Sequence, residues 1–318
     1  MTLNLPSPAA PLKIGTRGSP LALAQAYETR SRLGKAFDLP DEAFEIVVIK
    51  TTGDDRTLID ADRPLKEIGN KGLFTKEIEE AMLDGRIDIA VHSCKDMPVE
   101  QPAGLVLDCY LPREDVRDAF VSPKFKGLAD LPEGAVVGTS SLRRRAQLLN
   151  RFSHLEVVEF RGNVQTRMKK LNDGVATATF LAQAGLNRLG MDDVPASAIS
   201  VEDMLPAIAQ GAITIERREE DSRTAEMVAA IHHAETGQRL AAERAFLAAL
   251  DGSCETPIAG LAEIEGGTLR LRGEVLRPNG SEVITYDRSC SIAEGAALGA
   301  EMARDMLQQA GPDFFSWR

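Results

Sequence analysis

Cysteine and histidine are scarce in this chain of 318 residues, with four of each. Cys94, Cys109, Cys254 and Cys290 lie far apart without CxxC spacing, which argues against a disulfide framework or a zinc site and fits a reduced, cytoplasmic protein. His232 and His233 form the one histidine pair, but neighbours on a helix diverge by about 100°, so no metal site is expected. The motifs GxxxxGK[ST], GxGxxG and HExxH are missing, which removes the commonest nucleotide and zinc assignments. No apolar run approaches the roughly 18 residues of a membrane span, and MTLNLPSPAAPLKIG lacks the basic and apolar regions of a secretory signal. Net charge is −11 and pI is near 5.0, which argues against nucleic acid or an anionic membrane as partner.

Against that acidic background, residues 143–170 carry eight Lys and Arg and only two acids, a local net of +6. The basic clusters follow two expected strands, in VVGTSSLRRR (136–145) and VVEFRGNVQTR (157–167). Positive charge concentrated at the C-terminal ends of strands points to an anion site. Thr139, Ser140 and Ser141 followed by Arg143 and Arg144 could hold carboxylates or phosphates, or could equally form a capped, solvated basic helix. Helical geometry fans the three arginines apart. With Leu142, Ala146 and Leu149 read as the buried face, Arg144 should point nearly opposite it, and Arg145, Lys169 and Lys170 toward solvent. Arg161 at a strand end and Arg167 one turn past the N-cap Asn163 are further clamp candidates, or plain surface arginines.

At 318 residues the chain exceeds one hydrophobic core, and alternating strands and helices place it in the α/β class. Lys13-Ile14 leads through Gly15-Thr16-Arg17-Gly18 to Ser19 and Pro20, an N-cap and N1 pair that starts a helix. FEIVVIK (44–50) reads as a strand buried on both faces, 73–83 as a helix and IDIAV (87–91) as a second buried strand. A charged, Pro-containing seam covers 111–132, after which the strand–turn–helix plan begins again. Two similar lobes, each aiming a helix N-terminus at a shared cleft, are the expected arrangement. From about 231 a long helix, two antiparallel strands and a last helix suggest a small α+β domain. Asp96 follows a buried strand and could move protons or hold a developing cation, or simply cap a turn. Cys254, in the loop DGSCETP, could be a nucleophile, a covalent tether or a buried small side chain.

The blocks KIGTRGSPLALAQA (13–26), GNKGLFTKEIE (69–79), IAVHSCKDMPVE (89–100), REDVRDAFVS (113–122), VGTSSLRRRAQL (137–148), FRGNVQTRMKKL (160–171), LAQAGLNRLG (181–190), AQGAITIE (209–216) and DGSCETPIAG (251–260) resemble, in this order, the porphobilinogen deaminase (hydroxymethylbilane synthase) family of tetrapyrrole and haem biosynthesis. The resemblance spans about 13–260. It implies two type II periplasmic-binding-protein-like α/β lobes with mixed sheets and a small α+β C-terminal domain. The corresponding domains are 1–111 with 212–230, then 112–211, then 231–318. It also implies a monomer with a dipyrromethane cofactor linked by a thioether to Cys254, onto which porphobilinogen units condense with loss of ammonia before hydrolysis releases hydroxymethylbilane. On the family pattern the catalytic aspartate is Asp96, and Lys95, Asp96, Thr139, Ser140, Ser141, Arg143, Arg144, Arg161, Gly162 and Gln210 hold the cofactor. Arg17, Ser19, Gln25, Arg161, Arg167 and Arg188 would meet porphobilinogen and the growing polypyrrole chain, with no metal.

The chain departs from the family at Glu67, where relatives carry lysine, so neither Glu67 nor Lys66 receives a role, while Lys71 matches. Ala209 stands where glycine is common, and VATATF (175–180) replaces a more usual Tyr/Phe-Asp-Ala run. The alternative function is a non-catalytic, two-lobe carboxylate-binding protein, which would have no need of Cys254 or Asp96.

Overall fold

The computed structural model describes residues 3–54, 75–250, 256–311 and 313–316. Lys66, Glu67, Lys71 and Cys254 therefore lie outside the described residues. Among the described residues the chain forms two compact units, one of residues 3–54, 75–114 and 211–237 and one of residues 115–210 and 238–316.

The first unit holds a five-stranded sheet ordered β2-β1-β3-β10-β4, with β1 at Leu12–Thr16, β2 at Phe44–Val48, β3 at Ile89–Ser93, β4 at Leu105–Tyr110 and β10 at Ile213–Arg218. Strands β1, β2 and β3 are parallel, while β10 runs antiparallel between β3 and β4. Helix α1 (Pro20–Phe37) starts as expected, with the Ser19 hydroxyl accepting from the Ala22 N–H at 3.3 Å. Its Ala26 and Leu33 pack with Ile14, Ile89, Val91, Ile213 and Ile215 on one face of the sheet. Helix α2 (Lys76–Leu83) covers the other face through Ile78, Ala81 and Met82 against Ile87 and Ala90. The apolar run at 44–50 is the edge strand, not a strand buried on both faces, and Val48 is exposed. Its place at the sheet margin leaves one long side without a neighbour among the described residues, and hydrophobicity alone did not encode that.

The second unit repeats the plan. Its sheet is ordered β7-β6-β8-β5-β9, with β5 at Asp118–Val121, β6 at Val136–Gly138, β7 at Glu156–Val158, β8 at Ala178–Ala182 and β9 at Ala196–Ala198. Strands β6, β7 and β8 are parallel, and β5 lies antiparallel between β8 and β9. In each sheet three parallel strands meet one antiparallel strand and then a last strand. The seam at 111–132 is thus not merely a connection, because it contains β5, which is buried along its whole length. Helices α3 (Leu142–Arg151), α4 (Val164–Asn172) and α5 (Gln183–Leu189) complete this layer.

Helix α6 (Ser222–Ala229) packs on the first sheet, and α7 (Ala234–Ala249) follows it. The antiparallel sheet β11-β12-β13 (Ile258–Glu265, Thr268–Leu276, Val283–Ser291) and helix α8 (Gly295–Ala310) end the described chain. Phe246 of α7 lies over Gly273 of β12, where a Cβ would stand 2.6 Å from the ring. Helix α8 meets α7 at Gly299, where a Cβ would stand 2.2 Å from the Ala242 carbonyl oxygen. Only a residue without a side chain permits that approach.

Candidate active site

In the first unit, β3 ends in a 3-10 turn, Cys94–Asp96, which lifts Lys95 and Asp96 into solvent while Cys94 turns inward. Asp96 lines a small cavity of about 80 Å³ together with Arg17, Ser19, Gln25, Thr75, His92 and Ser93. Gln25 is buried, and its amide exchanges hydrogen bonds with the Ser93 hydroxyl at 2.9 and 3.2 Å. This pairing ties α1 to the strand that carries Asp96. Ser19 serves both as helix cap and as cavity wall, so the two readings of it coexist. Asp96 makes no hydrogen bond or ion pair with any described residue, which leaves its carboxylate available to a ligand.

The second unit gathers the basic residues, but not as helical geometry suggested. Arg144 is not opposite the buried face: it is 8% exposed, and its Nε and Nη2 donate to Asp118 Oδ1 at 3.1 and 2.7 Å. Arg143, 6% exposed, places Nη1 2.7 Å from Asp118 Oδ2 and donates to Gln147 and the Leu205 carbonyl. The buried side of α3 is thus Arg143, Arg144, Ala146, Gln147 and Leu148, whereas Leu142 and Leu149 are only partly covered. Asp118 reverses the expected polarity because a fully buried carboxylate needs cationic partners. Arg143 and Arg144 hold its carboxyl far below the usual carboxylate range despite the burial, and burial pushes Arg143 down. Gln210 completes the set, donating to Asp118 Oδ1 and the Val116 carbonyl, each at 2.9 Å.

Around this pair the loop residues act locally. Ser141 caps α3 by accepting from the Arg144 N–H at 3.4 Å, and Thr139 accepts from the Ser141 N–H at 3.2 Å. The Ser140 hydroxyl accepts from the Phe160 N–H at 3.3 Å. Gly162 has φ +117, where a Cβ would also stand 2.6 Å from Thr166 Cγ2. Its carbonyl accepts from Arg167 Nε at 2.9 Å. Arg167 Nη1 and Arg144 Nη1 donate to one and the same acceptor, the Phe180 carbonyl, at 3.0 and 3.1 Å. Burial, then Arg144, push Arg167 down to about 10. Arg161 has no partner among the described residues, and its Nε is buried without a hydrogen bond. Arg188 sits half-buried on α5. Lys169 is exposed and pairs with Asp173, whereas Lys170 lies 5.5 Å from the Phe160 ring and Arg145 is half-covered, so neither reaches fully into solvent.

Two guanidinium groups converging on one carbonyl, in a unit where Arg161 has no partner among the described residues, form a cation excess that a polycarboxylate would relieve. The residues present therefore fit a ligand such as a dipyrrole bearing acetate and propionate groups. Reading the sequence alone missed Asp118, Gln147 and the pair His92–Glu216. A charged residue inside the apolar run of DAFV was the available signal for Asp118; the others had none.

Comparison with known proteins gives two family profiles. Residues 12–226 match "Porphobilinogen deaminase, dipyromethane cofactor binding domain", and residues 238–308 match "Porphobilinogen deaminase, C-terminal domain". Porphobilinogen deaminase of Paracoccus denitrificans is 64% identical over 314 residues, covering 99% of each chain. The chloroplastic porphobilinogen deaminase of Pisum sativum is 52% identical, covering 96% of this chain and 83% of its own. A probable amino-acid transporter extracellular-binding protein, ytmK, of Bacillus subtilis is 11% identical and reaches a TM-score of 0.40, covering 69% of this chain and 88% of its own.

Proposed function

The chain belongs to the porphobilinogen deaminase family, and from that membership we propose how its residues divide the work. The reaction is stepwise deaminating condensation of porphobilinogen onto a covalent dipyrromethane primer, followed by hydrolytic release of hydroxymethylbilane. When bound, the primer supplies the pyrrole carbon on which the chain is extended.

Cys254 is the thioether tether. Thr139, Ser140, Ser141, Arg143, Arg144, Arg161, Gly162 and Gln210, with Lys95 and Asp96, hold the primer's carboxylates and ring nitrogens. Arg17, Ser19, Gln25, Arg161, Arg167 and Arg188 receive the carboxylates of incoming and growing units. The observation that carries this reading is the cation excess at Phe180, where Arg144 and Arg167 share one carbonyl. Forked guanidinium groups match carboxylates in pairs, and several such pairs fix a flexible polyacid in one register. Asp96 is the catalytic carboxylate. It is exposed in its cavity and unpaired, so it faces the pyrrole N–H groups and stabilises the positive charge that develops there.

The third sheet with α7 and α8 is read as a separate domain, 231–318, beside lobes of 1–111 with 212–230 and of 112–211. We further propose a cytoplasmic monomer without nucleic-acid or membrane partners. No helix among the described residues is long and apolar enough to cross a membrane.

The intact mass of the purified protein tests the primer. The expected result is a dipyrrole adduct mapping to Cys254 with a positive pyrrole colour reaction. An unmodified mass without colour would overturn the covalent primer and favour a plain carboxylate receptor. Asp96→Asn is expected to keep the melting temperature and lose nearly all turnover, and near-normal turnover would remove Asp96 from the mechanism.

A further inference from the structure

Strand alternation puts His92 on the face of the first sheet that α2 covers, the face shared by Ala90 and Glu216. His92 is 7% exposed, and its Nε2 lies 3.1 Å from Glu216 Oε2. Glu216 is fully buried, and its second oxygen, Oε1, has no donor among the described residues. The His92 ring is the one hydrogen-bond partner of this buried carboxyl among the described residues, so the pair fixes the orientation of the imidazole. Glu79 on α2 adds a second acid. Burial raises its pKa, and it feels the charges of Glu216 and His92. The same imidazole also lines the cavity that holds Asp96, and its Nδ1 carries no hydrogen bond to any described residue.

We propose that His92, oriented by Glu216, accepts the proton that each condensation releases into this cavity. The inference rests on the reaction assigned above. Each unit arrives as a primary ammonium. Its C–N bond breaks with the electron pair leaving on nitrogen, as ammonia. The acceptor ring carbon forms the new C–C bond, and its C–H bond then breaks, the pair returning to the ring and the proton leaving. The net product is one ammonium ion per unit, so the proton must travel from ring carbon to ammonia. Asp96 is occupied with the positive charge on pyrrole nitrogen, which makes a second base useful. Neutral His92, donating from Nε2 to the Glu216 carboxylate, leaves Nδ1 free to accept. Once protonated, the imidazolium has Glu216 as its counter-ion, and ammonia or water takes the proton onward. The groups facing this pair are Glu79 from α2, Thr214 from β10, and Arg17 and Asp96 from the cavity loops. Gln25 from α1 lines the same cavity.

The test uses the primer-loaded full chain with His92→Asn and Glu216→Gln. Of the four imidazole signals in nitrogen NMR, the one lost in His92→Asn should show the proton on Nε2 and a bare Nδ1, the tautomer that Glu216 selects. Glu216→Gln should lose that single tautomer and lower kcat by about tenfold. His92→Asn should lower kcat by about 100-fold, with KM within about threefold. Substrate deuterated at the free ring carbon should then show a primary isotope effect that is small in the parent. A His92 ring protonated on Nδ1 rather than Nε2, or His92→Asn turnover within about threefold of the parent, overturns the proposal. Should His92→Asn fail to fold, the effect of Glu216→Gln on the His92 tautomer and on kcat decides. The covalent adduct and the Asp96→Asn result stay unaltered in either case, so failure here is separable from failure of the reaction itself.

Discussion

At the residue scale, Asp118 governs the chemistry of the second unit. It is fully buried and touches Arg143, Arg144 and Gln210, so removing its charge leaves two covered guanidinium groups without their anion. Asp118→Asn should cost about 3–5 kcal/mol, read from urea unfolding midpoints. The pH dependence has a definite sign. The folded carboxyl titrates below its ordinary value of 3.8, so its stabilisation is complete above that value and is lost as pH falls through the folded one. The parent's advantage over Asp118→Asn should therefore hold at neutral pH and shrink below about pH 4. Ala209 is the opposite kind of residue, one that stores strain. It adopts φ +59, with its N–H donated to Glu243 at 2.7 Å. Left-handed backbone costs alanine about 1–2 kcal/mol, while glycine loses about 0.4–1 kcal/mol more chain entropy on folding. Ala209→Gly should thus raise stability by up to about 1.5 kcal/mol, visible as a higher melting temperature.

At the scale of elements, the helices α1, α3 and α4 were legible from their caps. Ser19, Ser141 and Asn163 each accept from a backbone N–H three residues on, the bond that such residues supply at an N-cap. Asn163→Ala should cost about 1 kcal/mol and loosen the first turn of α4, where Arg167 is held. Reduced affinity for porphobilinogen at normal kcat would be its kinetic sign. The strands were harder. Strand β5 hid inside a charged seam because Asp118, an anion in sequence, lies beneath two arginines in the fold. Strand β2 misled in the other direction, since an apolar run does not say whether a sheet continues beyond it. The buried stripe of α3 was misread for the same reason as β5. Counting leucines identifies an apolar stripe, but here the covered side is built from paired polar groups.

At the scale of the second unit, polar ties join the α/β layer to the antiparallel sheet. Glu243, fully buried on α7, accepts from the Ala209 N–H at 2.7 Å and from the Ala262 N–H at 2.8 Å. Gln147 on α3 accepts from Arg143 and donates to Glu274 on β12 at 2.9 Å, while Arg151 pairs with the same carboxylate. Asn150 reaches the Gly280 carbonyl at 2.9 Å. These ties cross between layers rather than staying within one, so the layers should lose structure together. Hydrogen exchange is expected to show amides of β6 and β8 and of β11 and β12 opening in one cooperative step. Glu243→Ala should separate that step into two.

The sequence by itself determined the class of the fold, the helix starts, the family and the identities of the basic residues, because these depend on local spacing and on ordered blocks of residues. Helix caps need only neighbours along the chain, and a cation excess in 143–170 is countable. Only the tertiary structure decided which of those cations are already paired. Asp118 and Arg144 are 26 residues apart, and His92 and Glu216 are 124 apart. No periodicity links such positions; a sheet with an antiparallel strand inserted among parallel ones brings them within 3.1 Å. The same burial that makes those contacts also sets their energies, since a charge acquires its partner and its proton affinity only when water is removed.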